Sequence, residues 1–186
     1  GSAFIFYGGI TGAFRNPDND ANIVFQGENA NDLFGFSVTS AGDFNGDGKG
    51  DVVVGAMKND ENGVNSGRAY VFSGVNSGTY NDPDRAATLV LSGQSANDRF
   101  GHSVSSAGDF NGDGKDDVII GATVDGNNGQ SSGSAFIFFG GQTGTLNKPD
   151  TQADVVLHGR DRDDVFGFSV SSAGDFNGDG IDEVIV

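Results

Sequence analysis

A seven-residue string, Gly-Asp-Phe-Asn-Gly-Asp-Gly, occurs three times in this chain of 186 residues, and successive copies lie 66 residues apart. The copies occupy Gly42–Gly48, Gly108–Gly114 and Gly174–Gly180. A constant period of this length indicates one structural unit repeated along the chain. Acidic and amide side chains at alternate positions, followed by glycine, are typical of a loop that wraps around a hard cation. The string therefore predicts both an architecture and a class of binding site.

Each period contains four short segments with the composition of β-strands. In the clearest copy these are Ser103–Asp109 (strand A, rich in small residues), Asp117–Gly121 (B), Ser134–Phe139 (C) and Asp154–His158 (D). Glycine-rich turns between β-branched and aromatic runs favour an all-β fold. Four short antiparallel strands per period predict the blade of a β-propeller. A tandem array of small sandwiches is the alternative, and the period is too long for a coil of a β-helix.

The chain begins in a strand C and ends in a strand B. We therefore predict strands C and D of a split blade in residues 1–33, complete blades in 34–99 and 100–165, and strands A and B of a split blade in 166–186. Three blades are too few for a closed ring. Either further blades of a longer chain complete the propeller, or two copies close a six-bladed ring. Exposed sheet edges favour such self-association.

The three acidic strings open loops of nine residues with oxygen at every second position. Positions 1, 3, 5 and 9 offer side-chain oxygens, and position 7 offers its main-chain carbonyl. Calcium takes six to eight oxygen ligands, whereas zinc prefers nitrogen and sulfur, so we expect about three calcium sites. A solvated hairpin turn is the alternative for one loop, but not for three with full ligand sets. The predicted ligands are Asp43, Asn45, Asp47, Lys49 (main-chain O) and Asp51; Asp109, Asn111, Asp113, Lys115 (main-chain O) and Asp117; and Asp175, Asn177, Asp179, Ile181 (main-chain O) and Glu183.

These motifs together resemble a known repeat. Phe-Gly-x-Ser-Val, then Gly-Asp-x-Asn-Gly-Asp-Gly, then Val52–Ala56 or Val118–Ala122, is similar to the FG-GAP repeat, which builds the β-propeller of integrin α subunits and of many bacterial secreted proteins. The resemblance covers the whole chain and implies calcium in the hairpin between strands A and B, on one rim of the propeller. The chain departs from the pattern at Met57 and Thr123, where the repeat has proline, and at the longer Glu183.

Composition excludes several classes of function. The net charge of −16 argues against nucleic acid and anionic membranes, which need a basic surface. No apolar run is long enough for membrane insertion. His102 and His158 are the only histidines, they stand at variable repeat positions, and no Ser-His-Asp pattern accompanies them. We therefore predict that the chain is not an enzyme, although paired acids for glycoside hydrolysis stay open.

Other repeated residues have predicted structural roles. Phe34, Phe100 and Phe166 are expected to pack between blades. The B–C loops (residues 57–66 and 123–132) and C–D loops (75–87 and 142–153) are polar and variable, which is typical of binding loops on a rigid scaffold. The alternative, that these loops are only solvated connections, stays open.

The predicted function is a calcium-binding β-propeller module of a secreted or cell-surface protein, located outside the cell. We expect it to mediate adhesion or to bind protein or carbohydrate, with calcium as a structural ion. Two alternatives stay open: the noncatalytic propeller of an extracellular polysaccharide-active hydrolase or lyase, and a purely structural, self-assembling subunit.

Overall fold

The computed structural model describes residues 1–9, 13, 15–147 and 149–186. Residues 10–12 and 14 of the predicted first split blade, and Lys148 of the second C–D loop, lie outside the described residues. The strands are β1 (Ser2–Ile5), β2 (Ile23–Gln26), β3 (Ser37–Gly42), β4 (Asp51–Ala56), β5 (Arg68–Phe72), β6 (Gly78–Tyr80), β7 (Leu89–Ser92), β8 (Phe100–Gly108), β9 (Asp117–Ala122), β10 (Ser134–Phe138), β11 (Gly144–Leu146), β12 (Val155–His158), β13 (Ser171–Gly174) and β14 (Glu183–Ile185). Three one-turn helices are α1 (Pro17–Asp20), α2 (Pro83–Ala86) and α3 (Pro149–Gln152).

The fold is all-β, as the sequence predicts, and its strands are arranged as propeller blades. The second blade has the antiparallel order β3-β4-β5-β7, and the third has the order β8-β9-β10-β12. The two middle strands of each blade are buried on both faces, which explains their uninterrupted apolar sequences. The first and last strand pairs, β1–β2 and β13–β14, form separate sheets and do not pair with each other within the chain.

The C–D connections differ from the prediction of polar loops. Each contains a three-residue strand followed by a helical turn. Strand β6 pairs in parallel with β2, and β11 pairs in parallel with β7. The second blade is therefore a five-stranded sheet whose outermost strand belongs to the next repeat. The sequence prediction of four antiparallel strands per blade missed these pairings, which join the first sheet to the second blade and the second blade to the third through main-chain hydrogen bonds.

Apolar side chains from neighbouring blades form the cores between them. Phe100 is fully buried against Phe136 and Phe138, with ring centroids 5.6 and 6.3 Å apart. Phe34 packs in the same way on Tyr70 and Phe72 of its own blade. Phe166 is partly buried against the outer face of the third blade. The expected packing role of the three phenylalanines is confirmed.

Glycines in strand B of one blade and at the start of strand A of the next permit the blades to approach closely. A Cβ on Gly55 would overlap the carbonyl oxygen of Gly101 in the next blade. Ser37 Oγ donates a hydrogen bond to that same carbonyl, 2.9 Å away. Gly101 itself has φ +78°, a backbone conformation that side chains disfavour. The Phe-Gly dipeptide therefore fixes the distance between blades.

Candidate cation loops and the opposite rim

The three acidic loops connect strands A and B at one rim of the sheet stack. They join β3 to β4, β8 to β9 and β13 to β14. The strand pairing shifts register at Gly42, Gly108 and Gly174, which have φ between 64° and 68°. A register shift at a glycine with positive φ is typical of a β-bulge. The bulge turns the chain out of the sheet, so the acidic residues project from the rim.

The side chains at positions 1, 3 and 5 make the same hydrogen bonds in all three loops. In the first loop, the two carboxylate oxygens of Asp43 accept hydrogen bonds from the N–H groups of Asp47 and Gly48, at 2.9 and 2.8 Å. Asn45 Oδ1 accepts from the N–H of Asp47 at 2.7 Å, and Asp47 Oδ1 accepts from that of Lys49 at 2.9 Å. The second and third loops repeat this set. The alternate oxygens are thereby gathered on the inside of each turn.

The carboxylate at position 9 closes each loop from strand B. Asp51 is 2% exposed, and its Oδ2 accepts a hydrogen bond from the N–H of Asn45 at 3.1 Å. Its Oδ1 is buried without a hydrogen-bond partner among the described residues. Burial raises the pKa of Asp51, and it raises the pKa of Asp117 to about 6. Both carboxylates lie where a negative charge is poorly solvated, so a neighbouring cation would stabilise them.

The third loop has glutamate at this position. Glu183 Oε2 accepts a hydrogen bond from the N–H of Phe176 at 2.7 Å, and Oε1 accepts from Asn177 Nδ2 at 2.7 Å. Glu183 thus takes the same place as the shorter aspartates.

The donor set fits calcium, and the side-chain oxygens of each loop accept hydrogen bonds from main-chain N–H groups of the same loop. Each loop offers carboxylate, amide and main-chain carbonyl oxygens, with no nitrogen or sulfur ligand. Within the part of the chain that the structure describes, no three His, Cys, Asp or Glu side chains form a group that could hold a metal ion. Their oxygens instead accept hydrogen bonds from the N–H groups of the loop. The ligand assignments therefore stay a prediction.

Position 8 of the loops has a role that the sequence did not reveal. Asp116 Oδ2 accepts a hydrogen bond from the N–H of Asp43 in the preceding loop, 2.6 Å away. Asp182 makes the same contact with the N–H of Asp109 at 3.0 Å. The first loop has Gly50 at this position. The acidic character of two position-8 residues was the only available signal, and it does not distinguish them from the neighbouring predicted ligands.

The opposite rim carries the B–C loops and an aromatic row. The B–C loop of the second blade is fixed to the turn before strand A, since Asn62 Nδ2 donates to the carbonyl of Gly93 at 2.8 Å. Beside it, the His102 ring lies between Phe36 and Phe168, with ring centroids 5.4 and 4.7 Å away. The two phenylalanines are 51% and 64% exposed. The ring planes are tilted by 54° and 46° to each other, and the row crosses three consecutive blades.

The two histidines are held by different contacts. Burial lowers the pKa of His102. His158 Nδ1 lies 2.8 Å from Ser134 Oγ, and these two residues occupy neighbouring strands. Their roles are therefore explained by tilted ring contacts for His102 and by a strand-to-strand hydrogen bond for His158.

One buried cation joins the first two blades. The side chain of Arg68 is 3% exposed, and its Nε donates to Ser92 Oγ at 2.9 Å. One terminal nitrogen, Nη1, lies 2.9 Å from Asp84 and 3.6 Å from Glu28, which follows β2 of the first sheet. The other terminal nitrogen, Nη2, lies 3.4 Å from Glu61 of the B–C loop. Sequence analysis did not single out Arg68, although it is a charged residue in an otherwise apolar strand.

Comparison with known proteins identifies the repeat. A model of the FG-GAP repeat family matches residues 34–72 and 100–138. Integrin alpha-PS5 of Drosophila melanogaster is 36% identical over 166 residues, which cover 88% of this chain. Integrin alpha-5 of Xenopus laevis is 32% identical over 187 residues, 98% of the chain. The chain covers 16% and 17% of the lengths of these two relatives. Among the described residues, no helix has the length and apolar character needed to cross a membrane.

Proposed function

The chain contains FG-GAP repeats, and on that premise we propose that it is a calcium-binding β-propeller segment of a secreted or cell-surface protein that mediates adhesion. The similarity to integrin alpha subunits supports adhesion rather than catalysis as the class of function. The observation that carries the calcium assignment is the set of three loops with matching acceptors. The first of these has a buried carboxylate oxygen without a partner.

The role of the ion in this proposal is structural. Calcium supplies positive charge and directional ligation to carboxylates that otherwise repel one another. The residues that would hold it are those at positions 1, 3, 5, 7 and 9 of each loop. A ligand that binds only the native state stabilises it by RT ln(1 + [L]/Kd), which is about 2.7 kcal/mol per site at one hundred times Kd. Three sites with these ligands contribute about 8 kcal/mol, comparable to the whole stability of a typical domain.

The opposite rim is the proposed ligand face. The B–C loops there are held by hydrogen bonds to the neighbouring turns, so a partner meets a surface that is already ordered. Exposed aromatic rings such as Phe36 and Phe168 supply the large, rigid contact area that protein interfaces favour. We propose a protein or carbohydrate ligand at this rim. Calcium at the other rim acts on it through the rigidity of the blades.

Thermal unfolding with and without calcium tests the structural role of the ion. We expect chelation to lower the melting temperature substantially and magnesium to restore little of it. Asp43→Ala, Asp109→Ala and Asp175→Ala should each remove part of the calcium effect. Asp18→Ala is the matched control, because Asp18 is exposed in α1 and far from the loops in sequence. A melting temperature that is unchanged by chelation would refute the structural role of calcium.

Solid-phase binding tests the ligand face. The immobilised chain is offered a panel of purified extracellular-matrix proteins and polysaccharides, in calcium and in chelator. We expect calcium-dependent binding of at least one of them, and we expect Phe168→Ala to weaken it without lowering the melting temperature by more than about 2 °C, because this ring is mostly exposed. No binding in calcium by a folded chain would argue against adhesion.

A further inference from the structure

We propose that the cation loops of neighbouring blades bind calcium cooperatively, because the first and second loops are each held by residues at positions 7 and 8 of the loop that follows. This inference rests on the proposed calcium function and adds a property to it. Three contacts between adjacent loops carry the argument.

The first contact is a two-point clamp between Asp116 and Asp43. The carboxylate of Asp116 accepts the N–H of Asp43 at 2.6 Å, and the N–H of Asp116 donates to the carbonyl of Asp43 at 3.3 Å. Asp43 is position 1 of the first loop. Asp116 lies between positions 7 and 9 of the second loop, so its neighbours on both sides are predicted ligands. The same peptide segments thus belong to an ion site and to the clamp.

The second contact repeats the clamp one blade further on. Asp182 accepts the N–H of Asp109 at 3.0 Å, and its own N–H donates to the carbonyl of Asp109 at 3.4 Å. The glycine before each clamped aspartate leaves room for it. A Cβ on Gly42 would overlap the Asp116 carboxylate, and one on Gly108 would overlap that of Asp182. Gly174, which faces no following loop within the chain, has no atom within 4 Å of such a Cβ.

The third contact covers position 4 of the preceding loop. The aliphatic stem of Lys115 lies over Gly46, where a Cβ would be 3.3 Å from Lys115 Cε. Ile181 lies over Gly112 with a corresponding distance of 3.8 Å. Gly141 adds a link, because its N–H donates to the carbonyl of Phe44 at 2.7 Å. The preceding Gly140 donates to Asp117 Oδ1 at 2.8 Å, so this short segment joins both loops.

These contacts imply coupling because ion binding orders the groups that form them. An ion in the second loop fixes the peptides of positions 7 and 9 and thereby aims Asp116 at the first loop. The first loop then loses less conformational freedom when it takes up its own ion. By linkage, the effect is reciprocal between the two sites. We expect occupation of one loop to raise the calcium affinity of its neighbour about fivefold or more.

Calcium titration of the 186-residue chain by isothermal calorimetry tests the proposal. The wild type should bind three ions with a Hill coefficient above unity. Asp116→Ala combined with Asp182→Ala should still bind three ions, but with a Hill coefficient near unity. Asp116→Asn combined with Asp182→Asn keeps both acceptor oxygens and removes both charges, so this double variant should retain most of the cooperativity. Asp116→Gly gives the second loop the residue that the first loop has at Gly50, and it serves if the alanine variant fails to fold by circular dichroism.

The outcomes distinguish a failure of cooperative binding from a failure of the proposed calcium function. Three ions bound independently by the wild type would overturn the coupling and leave the calcium function intact. No calcium bound by a folded chain would overturn both. Equal loss of cooperativity in the double asparagine variant and the double alanine variant would show that charge, rather than the clamp, couples the loops, and this too would overturn the proposal.

Discussion

The clamp between loops predicts that chemically identical glycine substitutions will have different costs. Gly108 and Gly174 occupy the same repeat position, with φ of 68° and 64°. Alanine in this left-handed conformation costs about 1–2 kcal/mol at either place. At Gly108 the new methyl group also displaces Asp182 from the N–H of Asp109, and a hydrogen bond to a charged group contributes about 1.5–3 kcal/mol. Gly108→Ala should therefore cost about 2 kcal/mol more than Gly174→Ala.

Urea unfolding in saturating calcium, followed by circular dichroism, measures this difference. In a chain of 186 residues, 2 kcal/mol corresponds to about 4–8 °C in melting temperature. A double-mutant cycle identifies the cause, since in an Asp182→Ala background the extra cost of Gly108→Ala should vanish. Equal costs at the two glycines, or an extra cost that persists without Asp182, would refute the reasoning. Gly42→Ala should behave like Gly108→Ala, through Asp116.

Two further predictions concern side chains that join blades. Arg68→Ser places in β5 the residue that β10 has at the same position, Ser134, and it should destabilise the fold by about 2 kcal/mol. This is less than the roughly 3–5 kcal/mol for breaking a fully buried ion pair, because the carboxylates around Arg68 are partly exposed. Chemical unfolding measures the loss of stability, and Arg160→Ala, at an exposed arginine, is the control. His102 has a lowered pKa in the folded state, so folding favours its neutral form, and its contribution to stability is present above the unfolded-state pKa and lost as the pH falls through the folded-state value. Acidification from about pH 7.5 to 5.5 should therefore lower the melting temperature. His102→Phe, which copies the residue at this position in the adjacent blades, should abolish the part of this loss that comes from His102. A pH profile of the melting temperature that is the same in this variant as in the wild type would contradict the role of His102.

Much of the architecture follows from local sequence patterns. The apolar runs of strands B and C, the small residues of strand A and the glycine-rich turns each predict their own segment, because burial on two faces demands such compositions. The loops can also be predicted locally, because side-chain oxygens at every second position, as at Asp43, Asn45 and Asp47, lie on the inside of a tight turn. These features are encoded within a few residues and repeated three times.

The missed features all depend on partners in another repeat. Strands β6 and β11 have three residues each, Gly-Thr-Tyr and Gly-Thr-Leu, which is too short for a periodic signal. Their pairing with β2 and β7 becomes visible only when successive blades are placed side by side. Arg68 is similar in part, because Glu28 of the preceding sheet adds to Asp84 and Glu61 of its own repeat around the guanidinium. Local pattern cannot supply such information, since the sequence distance between partners is set by the stacking of blades.

The signature string itself combines both kinds of information. Its aspartates and asparagine are explained by the loop alone, through hydrogen bonds to N–H groups two to five residues away. Its first glycine is explained by a contact with another repeat at Gly42 and Gly108, because the carboxylate of the following loop occupies the space that a side chain would need. An isolated repeat would keep the first set of contacts and lose the second. Stability in this chain is therefore a property of adjacent pairs of blades, as in other repeat proteins, and the ion-binding loops lie at the contact between pairs.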